Sequence, residues 1–293
     1  MTTKLQSICV HDKRRPSTDG LSTDANRASF VASLIVSAFR EGKGIFTNPV
    51  ELVENQMPEK VRLLSREHAL FLFYVVPQDH GVSSAGLYTK AKELHREDPD
   101  VFDPSAVVKL ELREIEKRVS RKLGVRYPIE SSREWHENSR MLLEEYEGDP
   151  RKLFSKTKEA QKLLKEIRRF RGFGPKTGAL LLRAISNLGF VELDNLEDVL
   201  LPVDVHDTRI AFYTRSLAGP NTPDWYVKNY MSYVRPVQEV WLSASQRAGL
   251  DWRELDRALW ILGSKGCAPE KHGICPARDL CVKGEHIGGT NLL

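Results

Sequence analysis

The 293-residue chain has no apolar stretch longer than Ala69 to Pro77, under half of what a bilayer-crossing helix needs. No leader of basic and then apolar residues opens it, because the first residues are polar and basic with nothing apolar behind them. The chain is therefore expected inside the cell and off the membrane, and not among secreted proteins. Runs of alternating apolar and polar residues are missing too, which excludes an architecture of half-buried strands. No segment recurs at a fixed period, which excludes a solenoid or propeller. Cysteine is scarce, with four residues, but three of them crowd between 267 and 281. Apolar residues are not scarce: 41% hydrophobic against 29% charged is enough for a sizeable core.

What the chain has in quantity is helical periodicity. Residues 1–25 are polar with no period and read as a mobile tail containing Cys9. Phe30, Val31, Leu34, Ile35, Ala38 and Phe39 then recur at helical spacing, ended by Gly42 and Gly44. Ser65 reads as the cap of a core helix stopped by Pro77, and Ser83 or Ser84 as the start of another closed at Asp98-Pro99. Ser105 is expected to cap a helix through Val108, Leu112, Ile115, Val119 and Leu123 to Gly124. Further helices are predicted over 130–146, 155–170, 177–188, 207–217, 224–233, 236–248 and 252–262. The expectation is an all-α protein of about ten short helices joined by Gly, Pro and Asp turns.

Charge is mildly basic overall, +4, but unevenly spread. Ten basic residues stand between Arg151 and Lys176 against Glu159 and Glu166, so the remainder of the chain is net acidic. That run leads into Arg171-Gly172-Phe173-Gly174-Pro175-Lys176-Thr177. Glycines at 172 and 174 allow positive φ and close approach of another molecule, and Pro175 suits the first turn of the next helix. Amides at such a helix start face outward and can hold a phosphate without reading sequence. A plain αα-turn is the simpler reading of two glycines alone, but the basic approach and the lysine weigh toward nucleic acid. Lys176 is expected at the positive end of a helix dipole, with a lowered pKa that suits a nucleophilic amine.

Downstream stands Leu201-Pro202-Val203-Asp204-Val205-His206-Asp207-Thr208-Arg209, an extended entry into a helix, with Asp204 at the helix start. A carboxylate there is held ionised by amides and dipole, and a simple helix cap is the plainer explanation. Together, Gly-Phe-Gly-Pro-Lys-Thr and Pro-Val-Asp-Val-His-x-x-Arg resemble the signature of the helix-hairpin-helix DNA glycosylase superfamily, which includes endonuclease III and 8-oxoguanine DNA glycosylase. The resemblance spans about residues 65–281 in layout and is sharp only in the hairpin, the aspartate segment and the cysteine tail.

That resemblance implies a two-lobed helical glycosylase fold: a lobe over 66–200 carrying the hairpin, and a second over 26–65 plus 201–293 carrying the aspartate and a cysteine-rich metal loop. It makes Lys176 and Asp204 the catalytic pair of a bifunctional glycosylase and abasic-site lyase. Gly172, Phe173, Gly174, Thr177 and Gln78 become DNA-binding candidates. Gln78 would fill the gap left by an extruded base, although a polar turn explains it equally, and Phe173 has a core role as its plainer reading. The partner implied is double-stranded DNA with a damaged base or abasic site, bound by a monomer. The stretch between Lys176 and Asp204 looks about ten residues longer than the family layout, which suggests a loop inserted beside the active site.

Cys267, His272, Cys275 and Cys281 fall in one terminal segment. Cysteines clustered in an intracellular chain argue for metal ligation before disulfides. Cys275-Pro276 to Cys281 resembles the end of the iron–sulfur loop of endonuclease III relatives, with His272 where a second cysteine is expected. A four-iron cluster, completed by His272 or by Cys9, is placed first; zinc and no metal remain open. Lys283 and His286 are candidate phosphate contacts. Among Trp225, Trp241, Trp252 and Trp260, most are expected in the core and one free to stack on a base. An 8-oxoguanine substrate is placed marginally before oxidised pyrimidines. The rivals are a monofunctional glycosylase and a non-catalytic nucleic-acid-binding module.

Overall fold

The computed structural model describes residues 20–47, 49 and 51–283. Cys9 and His286, among the candidates above, lie outside the described residues. Helix α1 (Ala25–Arg40) starts at Asp24, whose side chain accepts from the Arg27 amide, and buries Ala28, Val31, Ala32, Ile35 and Val36 on one stripe. Helix α2 (Arg66–Val75) starts where expected, with Ser65 accepting from the His68 amide, and is buried from His68 to its end. A 3-10 turn, Val76–Gln78, follows, then α3 (Ser84–Glu97).

The next helix differs from expectation. Asp103 rather than Ser105 caps α4 (Pro104–Val107), and Ser105 donates its hydroxyl to that carboxylate at 2.8 Å. The chain breaks after Val108 and resumes as α5 (Leu112–Ile115), a π-turn (Glu116–Ser120) and α6 (Arg121–Leu123), ended by Gly124 at φ +68°. The break turns part of the expected stripe outward: Leu112 is 43% exposed and Val108 only partly buried, while Ile115, Val119 and Leu123 stay in the core. Helices α7 (Pro128–Tyr146), α8 (Pro150–Phe154), α9 (Ala160–Ile167) and α10 (Pro175–Leu188) complete the first half of the molecule. The helix expected from 155 begins only at Ala160, because Lys158 and Ala160 pair their backbones with Asp194 at 2.7 and 3.1 Å.

Helices α11 (Val205–Tyr213), α12 (Pro223–Lys228), α13 (Val234–Ala248) and α14 (Trp252–Ile261) follow. The only strands among the described residues form a ribbon in which β1 (Ser22–Thr23) pairs antiparallel with β2 (Leu217–Ala218), too short to leave an alternation in the sequence. Helix α1 packs mainly on α13 and also on α14, so the N-terminal helix completes the C-terminal group. One apolar core runs through both halves. No helix among the described residues is long and apolar enough to cross a membrane.

The long segment between α10 and α11 is tied down along its length. Besides the Asp194 bridge, the Trp252 indole donates to the Leu196 carbonyl at 2.6 Å, and the Gln238 amide to the Leu201 carbonyl at 2.8 Å. Val199 and Leu201 are fully buried. The segment therefore packs against α9, α13 and α14, and Pro202 is the part of it that reaches the cavity described next.

Candidate active site

The turn between α9 and α10 is built around Gly172. Its φ is +80°, and a Cβ there would lie 2.9 Å from both Pro77 Cβ and Glu134 Oε2, so both conformation and space demand glycine. Asn138 clamps the preceding residue from both sides, accepting from the Arg171 amide at 2.8 Å and donating to its carbonyl at 2.9 Å. Thr177 closes the turn by donating its hydroxyl to the Gly172 carbonyl at 2.7 Å and accepting from the Gly174 amide at 2.9 Å. A Cβ on Gly174 would meet nothing within 4 Å, so this side of the turn is open to an incoming molecule.

Three of the DNA-contact candidates are turned elsewhere. Phe173 is buried against Phe73, ring centroids 5.6 Å apart, because the turn needs an apolar anchor. Thr177 is buried and occupied as the internal latch of the turn. Gln78 is also buried and donates to Glu134 at 3.1 Å, a bond that satisfies a buried carboxylate. No side chain of these three projects from the surface in this conformation. The first-turn amides of α10 have no carbonyl of their own helix to serve.

The basic run is mostly paired. Arg151, Lys152, Lys156, Lys162, Arg169, Arg171 and Lys176 each meet a carboxylate, while Lys158, Lys165 and Arg168 have none within ion-pair distance among the described residues. Exposed pairs of this kind contribute about 0–1 kcal/mol, so they yield to a phosphate at small cost. Lys283 is likewise engaged, with Asp224 at 3.0 Å.

Lys176 and Asp204, 28 positions apart in the chain, meet across the two halves. Lys176 Nζ lies 3.4 Å from Asp204 Oδ2 and 3.4 Å from the Asp79 carbonyl oxygen. Asp204 caps α11: its Oδ1 accepts from the His206 amide at 2.7 Å, and its own amide donates to Asp207 Oδ2 at 2.8 Å. Burial works against its ionised form, but Lys176, His206 and the amide outweigh it and hold its pKa below the ordinary value. Asp207 goes the other way: burial, then the neighbouring Asp204 and Asp256, push it well above the usual carboxylate range.

The lysine corrects an expectation. Burial alone would lower its pKa, yet Asp204 and Asp79 outweigh burial and the net shift is upward. The helix dipole is a local influence legible from sequence, whereas the carboxylates that override it arrive from residues distant in the chain. Lys176 is therefore an ammonium at rest, with its side chain one-third exposed.

Beneath the pair is a cavity of about 30 Å³ whose walls include Asp79, Ser84, Tyr88, Arg183, Asp256 and Trp260. That is room for a water or two, so a larger occupant requires a wall to move. On its floor Arg183 donates Nε and Nη2 to Glu54 at 2.9 and 3.1 Å and Nη1 to Asp256, and Asn187 adds a bond to Glu54 at 2.8 Å. All three charged side chains are at least nine-tenths buried. The Tyr88 hydroxyl is buried without a hydrogen-bond partner among the described residues. These groups were missed in the sequence, although two patterns pointed to them: Lys176, Leu180 and Arg183 share a face of α10, and Asp256 and Trp260 are four apart on α14. Asp79 stands directly after Gln78, the residue singled out. Trp241 and Trp252 are buried, leaving Trp260 at the cavity.

Cys267, His272, Cys275 and Cys281 line a second, smaller cavity beside Tyr213. Burial, with Cys275 and Cys281 adjacent, pushes the Cys267 thiol up to about 12, so only a bound cation would convert it to a thiolate near neutral pH. Among the described residues no group of three or more His, Cys, Asp or Glu side chains is placed to hold a metal ion. The loop is held from α1: Arg27 donates to the Leu280 carbonyl at 2.9 Å and also to the Thr214 carbonyl.

No family model matches the chain, and no curated protein sequence does either. Solved structures do. A trapped endonuclease III–DNA covalent intermediate matches at TM-score 0.59 and 14% identity, covering 91% of this chain and 99% of its own. A thermostable thymine-DNA glycosylase matches at 0.53 and 13%, covering 90% and 100%. A non-covalent endonuclease III–DNA complex matches at 0.54 and 17%, covering 91% and 99%. The chain thus has the all-α, helix-hairpin-helix DNA glycosylase fold.

Proposed function

We propose that this protein is a DNA glycosylase with abasic-site lyase activity that removes an oxidised base from duplex DNA. The observation that carries the reading is the contact of the Lys176 ammonium with the Asp204 carboxylate at the mouth of a buried cavity, beside an open helix-hairpin-helix turn. The fold it shares with endonuclease III in complex with DNA supports a duplex partner. Gly174 and the first turn of α10 would hold the backbone, and Lys158, Lys165 and Arg168 would add charge without reading sequence.

A base inside a stacked duplex is out of reach, so the target nucleotide must be extruded toward the Lys176–Asp204 pair, with a wall of the cavity moving to admit it. As the glycosidic bond breaks, positive charge develops on the sugar, and Asp204, kept ionised, stabilises it. Lys176, once deprotonated, attacks C1′ and displaces the base. The resulting Schiff base permits β-elimination of the 3′ phosphate. An 8-oxoguanine-type base is placed before oxidised pyrimidines. A guanine edge offers two adjacent N–H donors beside a carbonyl, which matches a wall of carboxylates (Asp79, Asp256) with the unpartnered Tyr88 hydroxyl among them. A thymine-type edge sets one donor between two acceptors and matches it poorly.

The cysteine loop in this reading carries an iron–sulfur cluster on Cys267, His272, Cys275 and Cys281 that pins the C-terminal segment and takes no part in the chemistry. Visible absorption of the purified protein tests it, since a colourless preparation without iron removes the cluster.

The decisive experiment is a panel of lesion duplexes scored for base release and for strand cleavage, with borohydride trapping. The expected result is a covalent adduct that disappears in Lys176→Gln. The raised pKa of Lys176 favours a second reading, a monofunctional glycosylase, which would release base, leave the strand intact and trap nothing. Binding without base release would leave only a nucleic-acid-binding module.

A further inference from the structure

Lys176 rests as an ammonium, and attack on C1′ needs the free amine. The departing base needs a proton. One transfer would serve both, if a group at the cavity can carry it. Asp204 is poorly suited, because its Oδ1 is fixed on the His206 amide and its ionised form is needed opposite the developing sugar charge.

Asp79 stands on the facing wall. It follows the 3-10 turn after α2, its carbonyl oxygen is the second contact of Lys176 Nζ at 3.4 Å, and its carboxyl lines the cavity. Ser84 holds Oδ1 at 2.7 Å, while Oδ2 takes no hydrogen bond among the described residues. The groups that face it are Lys176 from α10, Asp204 from α11, Tyr88 from α3 and its neighbour His80. Two carboxyls thus flank one amine, one fixed by backbone and the other with an oxygen free toward the cavity.

We propose that Asp79 carries to the departing base the proton that Lys176 must shed. The inference rests on the glycosylase reading above. The Asp79 carboxylate takes one proton from the Lys176 ammonium. The amine lone pair then forms the C1′–N bond while the bond from C1′ to the base breaks, its electron pair leaving with the base. Asp79, now the acid, protonates the base, which departs neutral, and its carboxylate is restored. The positive charge ends on the secondary ammonium at C1′, so protons and charge balance with no further reactant. The environment suits a carrier: burial raises the Asp79 carboxyl above its ordinary range, opposed mainly by Lys176, while Asp204 is held below. Environments that push two carboxyls apart in this way assign one to acid work and the other to a standing charge.

The test compares two reactions of full-length Asp79→Asn and Asp79→Glu with the native protein. Release of base from a lesion duplex needs both proton transfers, whereas trapping by borohydride on a preformed abasic duplex needs only the first, in which solvent can replace Asp79 because Lys176 is one-third exposed. Asp79→Asn should lose about 100-fold or more in single-turnover base release, with the native pH dependence flattened and trapping kept within about threefold. Asp79→Glu should recover part of the loss. Base release within about threefold of native in Asp79→Asn overturns the proposal, as does a parallel loss of release and trapping at unchanged DNA affinity, which would show Asp79 merely positioning Lys176. If the native protein neither releases base nor traps, the glycosylase reading itself fails and this proposal falls with it.

Discussion

Replacing Arg183 by Met would leave two carboxylates in the floor of the cavity without their counter-charge. The guanidinium bonds Glu54 twice and Asp256 once, with side-chain exposures of 4%, 8% and 3% for Arg183, Glu54 and Asp256. Removing one partner of a buried ion network costs about 3–5 kcal/mol, a large share of a typical folding stability of roughly 5–15 kcal/mol. At about 2–4 °C per kcal/mol for a chain of this size, the melting temperature should fall by roughly 6–20 °C.

The pH dependence sharpens this prediction. In the native protein burial raises the Asp256 carboxyl to about 6 despite Arg183, while Glu54, opposed by burial, is held below its ordinary value by Arg183 and Asn187. Glu54 therefore contributes stability that is present above its unfolded pKa and lost on acidification, and Asp256 the reverse, since its folded form binds the proton more tightly. Without Arg183 both carboxyls rise, and the variant gains stability as they protonate. Urea unfolding near pH 8, 6 and 5 should show a gap to the native protein that is widest near pH 8 and narrows toward pH 5. A gap under about 1 kcal/mol near pH 8, or one that stays constant with pH, would refute the account of a paired, desolvated network.

Other positions test the frame of the site. Gly263→Ala places a Cβ 2.4 Å from His206 Cβ, so it should displace the first turn of α11, cost about 1–3 kcal/mol and depress base release by shifting Asp204; native-like rates would contradict this placement. Gly172→Ala meets both a φ of +80° and Pro77 Cβ at 2.9 Å, and should weaken DNA binding as well as stability, read by titration with duplex in low salt. Cys281→Ser should bleach any visible absorption and loosen the C-terminal loop toward proteolysis while Lys176-dependent trapping survives. Loss of trapping with full DNA binding would give that loop a part in the chemistry.

Turn chemistry was the most legible layer. Gly172 and Pro175 announce the hairpin because φ and the missing amide act locally, and Asp204 announces a helix start for the same reason. Ser65 was equally readable, whereas Ser105 misled because Asp103, two residues earlier, competes for the same cap. The electrostatic state of the site was not readable. The pKa of Lys176 depends on residues 79 and 204, and the Glu54–Arg183–Asp256 network joins a turn and two helices from distant parts of the chain. The run of ten basic residues from Arg151 to Lys176 was visible, but not the carboxylates of α7 that Arg169 and Arg171 meet.

The docking of α1 on α13 and α14, with Arg27 reaching the carbonyls of Thr214 and Leu280, has a consequence in time. On a ribosome α1 emerges long before α13 and α14, which cover it, so its apolar stripe stays uncovered until both have been made. The stretch from α2 to α10 is contiguous and closes mostly on itself. The amine half of the site can thus be shaped while its carboxylate partner still awaits the C-terminal helices. A chain truncated after α10 would carry Lys176 beside Asp79 but without Asp204, the larger of the two charges that hold it protonated, and such long-range closure is the slow step expected in refolding.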